Sequence, residues 1–152
     1  MSLAHIHPMI LHFPIVLAYL LVMIDAIALW RGISLTSGTY AKFSLATAVL
    51  AGLSASLTAM FGDLALDIAL ENGVPDAVME MHEGLGAVTA TGLAIWAGLR
   101  LLVSWRRLAL EGSRKGIVVL VELAFVVLIT FTAYHGGNLV YDQAVNVASA
   151  LN

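Results

Sequence analysis

No cysteine occurs anywhere in the 152 residues. That excludes disulfides, thiolate metal sites, iron–sulfur clusters and covalently attached c-type haem. Charge is scarce as well: Asp, Glu, Lys and Arg together make up 11%, against roughly 25% in an ordinary soluble domain. Hydrophobic residues fill the gap at 61%. A soluble domain of this length has too much surface for its volume to hide so much apolar area, so lipid is the remaining solvent. The net charge of −3, with no basic patch facing outward, offers nothing to nucleic acid. Lys and Arg are also missing from Met1 to His7. The start therefore lacks the basic n-region of a cleaved signal peptide, and the first apolar run reads as a retained helix. No hydrolase triad, phosphate-binding loop, nucleotide fold, internal repeat or second domain is visible, so the chain reads less as an enzyme than as a non-catalytic subunit.

About 20 apolar residues cross a bilayer core as a helix, and the chain has four such runs. They predict an all-α, integral membrane four-helix bundle forming one transmembrane domain over residues 1–152. The first span covers about 8–30 and opens at Pro8, where a missing N–H costs nothing. The second covers about 43–67, and the third about 75–105 from another proline-marked start. The fourth covers about 117–135 and is expected to stop at Gly136–Gly137, since glycine commonly ends helices.

Basic residues are absent from one end of these spans. Arg31, Lys42, Arg100, Arg106, Arg107, Arg114 and Lys115 all lie towards the other end. The end without them holds Asp63, Asp67, Glu71, Asp76, Glu80, Glu83 and Asp142. By the positive-inside rule the basic loops are cytoplasmic and both termini lie on the non-cytoplasmic side. Trp30, Tyr40 and Trp105 fit an inner aromatic belt, and Tyr134 and Tyr141 an outer one.

All five histidines fall on the outer side: His5, His7, His12, His82 and His135. At ~1.5 Å rise per residue, His12, Asp63, His82 and His135 each stand about 27–31 Å from their cytoplasmic anchors. Each span thus carries one ligand-capable residue near the same level. Polar residues at membrane depth are expensive and usually functional, although a single histidine near the interface is most often only an amphipathic anchor.

Three readings stay open. In the first, one haem b is held without covalent linkage by two of His12, His82 and His135, with Gly86 clearing a face one turn from His82. In the second, the ring binds an ion directly. His12, His82, His135 and Asp63 suit zinc or iron, while the His5–x–His7 pair with Met9, Met60, Met79 and Met81 suits copper. In the third, the chain is a cofactor-free accessory or scaffold subunit of a larger membrane complex.

A deeper set lies in the cytoplasmic half. Asp25, Arg100 and Glu122 stand about 9–10 Å from the nearest basic anchors on three different spans. An unpaired charge there costs several kcal/mol, so the expected arrangement is a structural pairing of the two acids with Arg100. A proton route or a quinone site is the alternative.

Two end motifs carry a family resemblance. The opening HPMILHFPI, His7 to Ile15, resembles the start of a family of small bacterial membrane proteins known as domain of unknown function 2231. The closing HGGNLVYD, His135 to Asp142, resembles that family's terminal Gly-Gly-x-Leu-Val-Tyr signature. Between them Asp25, Gly62–Asp63 and His82 fall where the family pattern has an acid, a glycine with a nearby acid, and a histidine. After Tyr141 the chain departs from the pattern: the family usually has Gly-Val-Gly-Val where Ala144 to Val147 reads Ala-Val-Asn-Val. Members resemble modules found alone or fused to Rieske-type, cytochrome c-type or sugar-dehydrogenase domains. The resemblance implies a bacterial inner membrane, membrane or periplasmic redox subunits as partners, and electron exchange with quinone.

Overall fold

In hydrocarbon the backbone must satisfy its own hydrogen bonds, so apolar runs of this length become helices. A computed structural model describes residues 3–110 and 112–147. After a 3-10 turn at Leu3–His5, the helices are α1 (Ile6–Ile10), α2 (His12–Trp30), α3 (Gly38–Glu71), α4 (Asp76–Trp105) and α5 (Ser113–Tyr141). Four stretches are long and apolar enough to cross a membrane: Ile6–Trp30, Gly38–Glu71, Asp76–Trp105 and Ser113–Tyr141. Among the described residues there is no strand.

Helices α2 to α5 form a ring in which each packs against its neighbours in sequence and α5 closes onto α2. The diagonal pairs, α2 with α4 and α3 with α5, do not pack against one another. The short α1 leans on α3. The arrangement places one polar layer towards the basic end of the bundle and another towards the acidic end. Between them lies an apolar plug of Ala18, Ala55, Ala90, Leu93 and Ile129.

Large apolar side chains point outwards, as in Phe13, Val16, Leu53, Ile95, Leu120 and Val127. Small ones face in: the buried residues of α3 are Ala41, Ser44, Thr47, Ala48, Ala51, Gly52, Ala55, Ala65 and Ala69. Lipid tails are as apolar as leucine, so burying leucine gains little, while small faces let backbones approach and disperse against each other. Gly52 marks the closest approach. A Cβ there would sit 2.8 Å from the Ala97 Cβ and 2.9 Å from the Leu93 carbonyl oxygen. Because one of those atoms is backbone, Gly52→Val must push α3 away from α4. We expect a cost of about 1–3 kcal/mol, read as a lower midpoint of thermal unfolding in detergent.

Several boundaries differ from the sequence-based expectation: α3 spans Gly38–Glu71 rather than about 43–67, and α5 begins at Ser113 rather than about 117. The first span divides at Leu11, into α1 and α2, because Pro14 has no N–H to offer the Ile10 carbonyl. The fourth does not stop at Gly136–Gly137 but runs on to Tyr141. These glycines are not helix-ending residues with positive φ; Gly136 instead makes room for a ring from α4. Left-handed residues end other helices: Gly32 after α2, Arg107 after α4, and Gly73, with φ +85°, after α3. There the Val74 N–H reaches back to the Ala69 carbonyl at 3.0 Å, closing the helix end.

Candidate functional site

The layer nearer the basic end takes one residue from each long helix. Arg100 on α4 donates from Nη1 to Asp25 Oδ2 on α2 and to Glu122 Oε1 on α5, both at 2.6 Å. Its Nη2 donates to Ser44 Oγ on α3 at 2.6 Å, and that hydroxyl donates to Asp25 Oδ1 at 2.5 Å. The Trp96 indole N–H adds a 3.2 Å bond to Glu122 Oε1. Asp25, Ser44, Arg100 and Glu122 are all buried. A guanidinium presents several N–H donors in a rigid fork, which lets this one side chain tie together helices that otherwise do not touch across the ring.

The layer nearer the acidic end is built from histidines. His7 on α1 places Nδ1 2.9 Å from the Thr58 carbonyl of α3. His82 on α4 places Nδ1 3.1 Å from the Thr132 carbonyl of α5. A carbonyl only accepts, so each Nδ1 carries the hydrogen, and in that neutral tautomer Nε2 is the nitrogen with a lone pair to offer. The two rings stand edge-on to each other, with centroids 6.1 Å apart and planes at 81°.

Both histidines are docked by the same device. The accepting stretches read Thr-Ala-x-x-Gly, Thr58 to Gly62 and Thr132 to Gly136. In each, the threonine carbonyl takes the imidazole N–H and the glycine one turn later makes room for the ring. A Cβ on Gly62 would lie 3.2 Å from His7 Nδ1, and one on Gly136 would lie 2.7 Å from His82 Cε1. Thr132 is braced in turn by a 2.9 Å hydroxyl contact with Thr89.

The residues singled out from sequence divide between these layers and the surface. Asp25, Arg100 and Glu122 come together. His82 stands in the acidic-end layer, and His135 shares with it a cleft of about 190 Å³ lined also by Met81, Asn138 and Gln143. The His135 ring packs edge-on against Phe131 at 4.9 Å and Tyr134 at 5.6 Å. Gly86 faces open space, with nothing within 4 Å of a Cβ placed there.

His12 and Asp63, expected in the ring, are exposed instead, and among the described residues neither has a hydrogen bond, ion pair or ring contact. His5 is half-buried and does not join the layer. Among the described residues no group of three or more histidines and carboxylates is gathered closely enough to hold an ion. His7 takes the place expected of His12. Five residues at about 100° each put these two histidines about 140° apart around a continuous helix, so one facing the bundle turns the other outward. That arithmetic, and the repeated Thr-Ala-x-x-Gly, were the signals in the sequence for His7 and its partner carbonyls. Ser44 and Trp96 gave no comparable sign.

No curated protein and no solved structure matches the chain. Residues 4–149 match the sequence model of a family described as predicted membrane protein (DUF2231), the same family that the two end motifs resemble. With nearly its whole length matched, the chain belongs to that family of predicted membrane proteins.

Proposed function

We propose that this protein is a membrane electron-transfer subunit that holds one haem b through His7 and His82. The observation that carries the reading is the matched pair of imidazoles, each with Nδ1–H tied to a backbone carbonyl and Nε2 free, 6.1 Å apart between centroids. An imidazole nitrogen lies about 2 Å from the metal it ligates. His7 and His82 are therefore the two residues that would hold the iron of the group. Gly62 and Gly136 let both rings pack directly against the helices that hold them, which fixes the two imidazoles in place.

The donor set fits haem better than a bare ion. Haem brings four equatorial nitrogens and asks the protein for two axial ligands, whereas zinc or copper asks for three or four. His7 and His82 would hold the haem, which would supply a one-electron carrier suited to electron transfer. The Thr58 and Thr132 carbonyls orient the two imidazoles. The cleft beside His82, with His135, Asn138 and Gln143 on its walls, offers polar groups to a quinone head group or to the edge of an exported redox partner.

In this reading the acidic end and both termini face the periplasm and the basic end the cytoplasm of a bacterial inner membrane. The one-sided placement of Lys and Arg supports it. A reporter fused after Asn152 is expected to behave as exported, and activity of a cytoplasm-only reporter there would reverse the orientation.

The protein purified from membranes should show a Soret band, a reduced b-type spectrum and one haem per chain. A preparation that is colourless, and stays so after incubation with haem, removes the reading. Elemental analysis of that preparation then separates a bound ion from a cofactor-free accessory subunit.

A further inference from the structure

The basic-end layer holds one more negative charge than it can neutralise. Two carboxylates, Asp25 and Glu122, share one guanidinium, and both lie within 2% exposure of complete burial. Every charged group that meets them has been named: Asp25 on α2, Arg100 on α4 and Glu122 on α5, with Ser44 of α3 and Trp96 of α4 supplying neutral donors. Lys115 is two turns away along α5, about 10 Å, and makes no ion pair with either acid among the described residues.

The two acids are not equivalent. Both oxygens of Asp25 are partnered, one by Ser44 and one by Arg100. On Glu122, Oε1 accepts from both Arg100 and Trp96, while Oε2 is buried with no hydrogen-bond partner. A lone anionic oxygen in so apolar a place costs far more than a neutral O–H. Arg100 also forms part of the wall of a cavity of about 140 Å³ at the basic end, lined by Thr36, Ser37, Lys42 and Ser104 among others. That is room for several waters.

We propose that this cluster is a proton-binding site: one exchangeable proton, taken from water at the basic end, is held on Glu122 Oε2. One O–H bond forms, no electron moves, and the cluster passes from a net charge of −1 to neutral. The cavity brings water as far as Arg100, the hub of the cluster, so exchange proceeds from the basic end. This site stands independently of whatever the histidine layer holds.

Infrared spectroscopy of the purified protein at neutral pH tests it. The unaltered protein should show the C=O stretch of a buried protonated carboxylic acid, shifted in heavy water. Glu122→Gln, close to isosteric, should abolish that band, Glu122→Asp should shift it, and Asp25→Asn, which leaves one acid for the one guanidinium, should weaken it. Ser104→Leu, which narrows the cavity, should keep the band but slow its hydrogen–deuterium exchange severalfold. Absence of the band from the unaltered protein, or its survival in Glu122→Gln, overturns the site. An unchanged exchange rate in Ser104→Leu overturns the route. If Glu122→Gln does not accumulate, the unaltered protein and Glu122→Asp still decide: a band that Glu122→Asp leaves unmoved does not belong to this acid.

Discussion

His82→Ala should lose the Soret band of the purified protein, and His7→Ala should lose or severely weaken it, while His12→Ala keeps the band at full intensity. The first two remove an imidazole proposed to hold the haem, whose Nδ1–H is held on Thr132 or Thr58. The third removes an exposed imidazole with no partner among the described residues. This contrast separates the geometry in the bundle from the depth argument made on sequence, which placed His12 level with His82. Gly136→Val provides a variant that leaves both ligands in place. Its Cβ would come within 2.7 Å of His82 Cε1, so the ring must move and haem content should fall without loss of either histidine. The measurements are haem-to-protein ratio and the reduced spectrum, with helicity by circular dichroism as the check on folding. A full band in both His7→Ala and His82→Ala would transfer ligation elsewhere and end the proposal.

Arg100→Ala is expected to be the most damaging single change for stability. It leaves two buried carboxylates without their shared cation, and breaking a buried pair in this way costs about 3–5 kcal/mol. Against a total stability of about 5–15 kcal/mol, that loss should appear as poor yield and a strongly lowered unfolding temperature in detergent. Arg100→Lys should recover only part, because a single ammonium cannot reach Asp25, Glu122 and Ser44 in the fixed fork that the guanidinium presents. Combining Arg100→Ala with Asp25→Asn and Glu122→Gln should restore more than the lysine does, since it removes the stranded charges themselves. An unfolding temperature unchanged by Arg100→Ala alone would mean that the layer contributes little to holding the four helices together.

The number and rough limits of the spans were legible in the sequence because hydropathy acts residue by residue. A lipid solvent imposes a minimum apolar length whatever the neighbouring helices do, so α2, α3, α4 and α5 were each visible as separate runs. Depth was legible for a related reason: a helix rises by a constant amount per residue, so Asp25, Arg100 and Glu122 could be placed at one level before any contact was known. Gly136–Gly137 shows where this stops. As local signals they resemble a helix end, but in the bundle Gly136 is the seat of the His82 ring, and the helix continues to Tyr141.

By itself, then, the sequence determined the solvent, the four crossings, the separation of basic from acidic ends and the shared levels of the polar groups, because each follows from composition and from distance along one helix. Which way each polar group faces was decided only by the tertiary structure. The break at Leu11 and the packing of α1 on α3 turn His7 inward and leave His12 outside. The closing of the ring brings Thr58 and Thr132 to meet imidazoles 51 and 50 residues away, and brings Arg100 to an acid on the helix diagonally opposite. Azimuth depends on how helices pack against one another, and that is a property of pairs of surfaces distant in the chain.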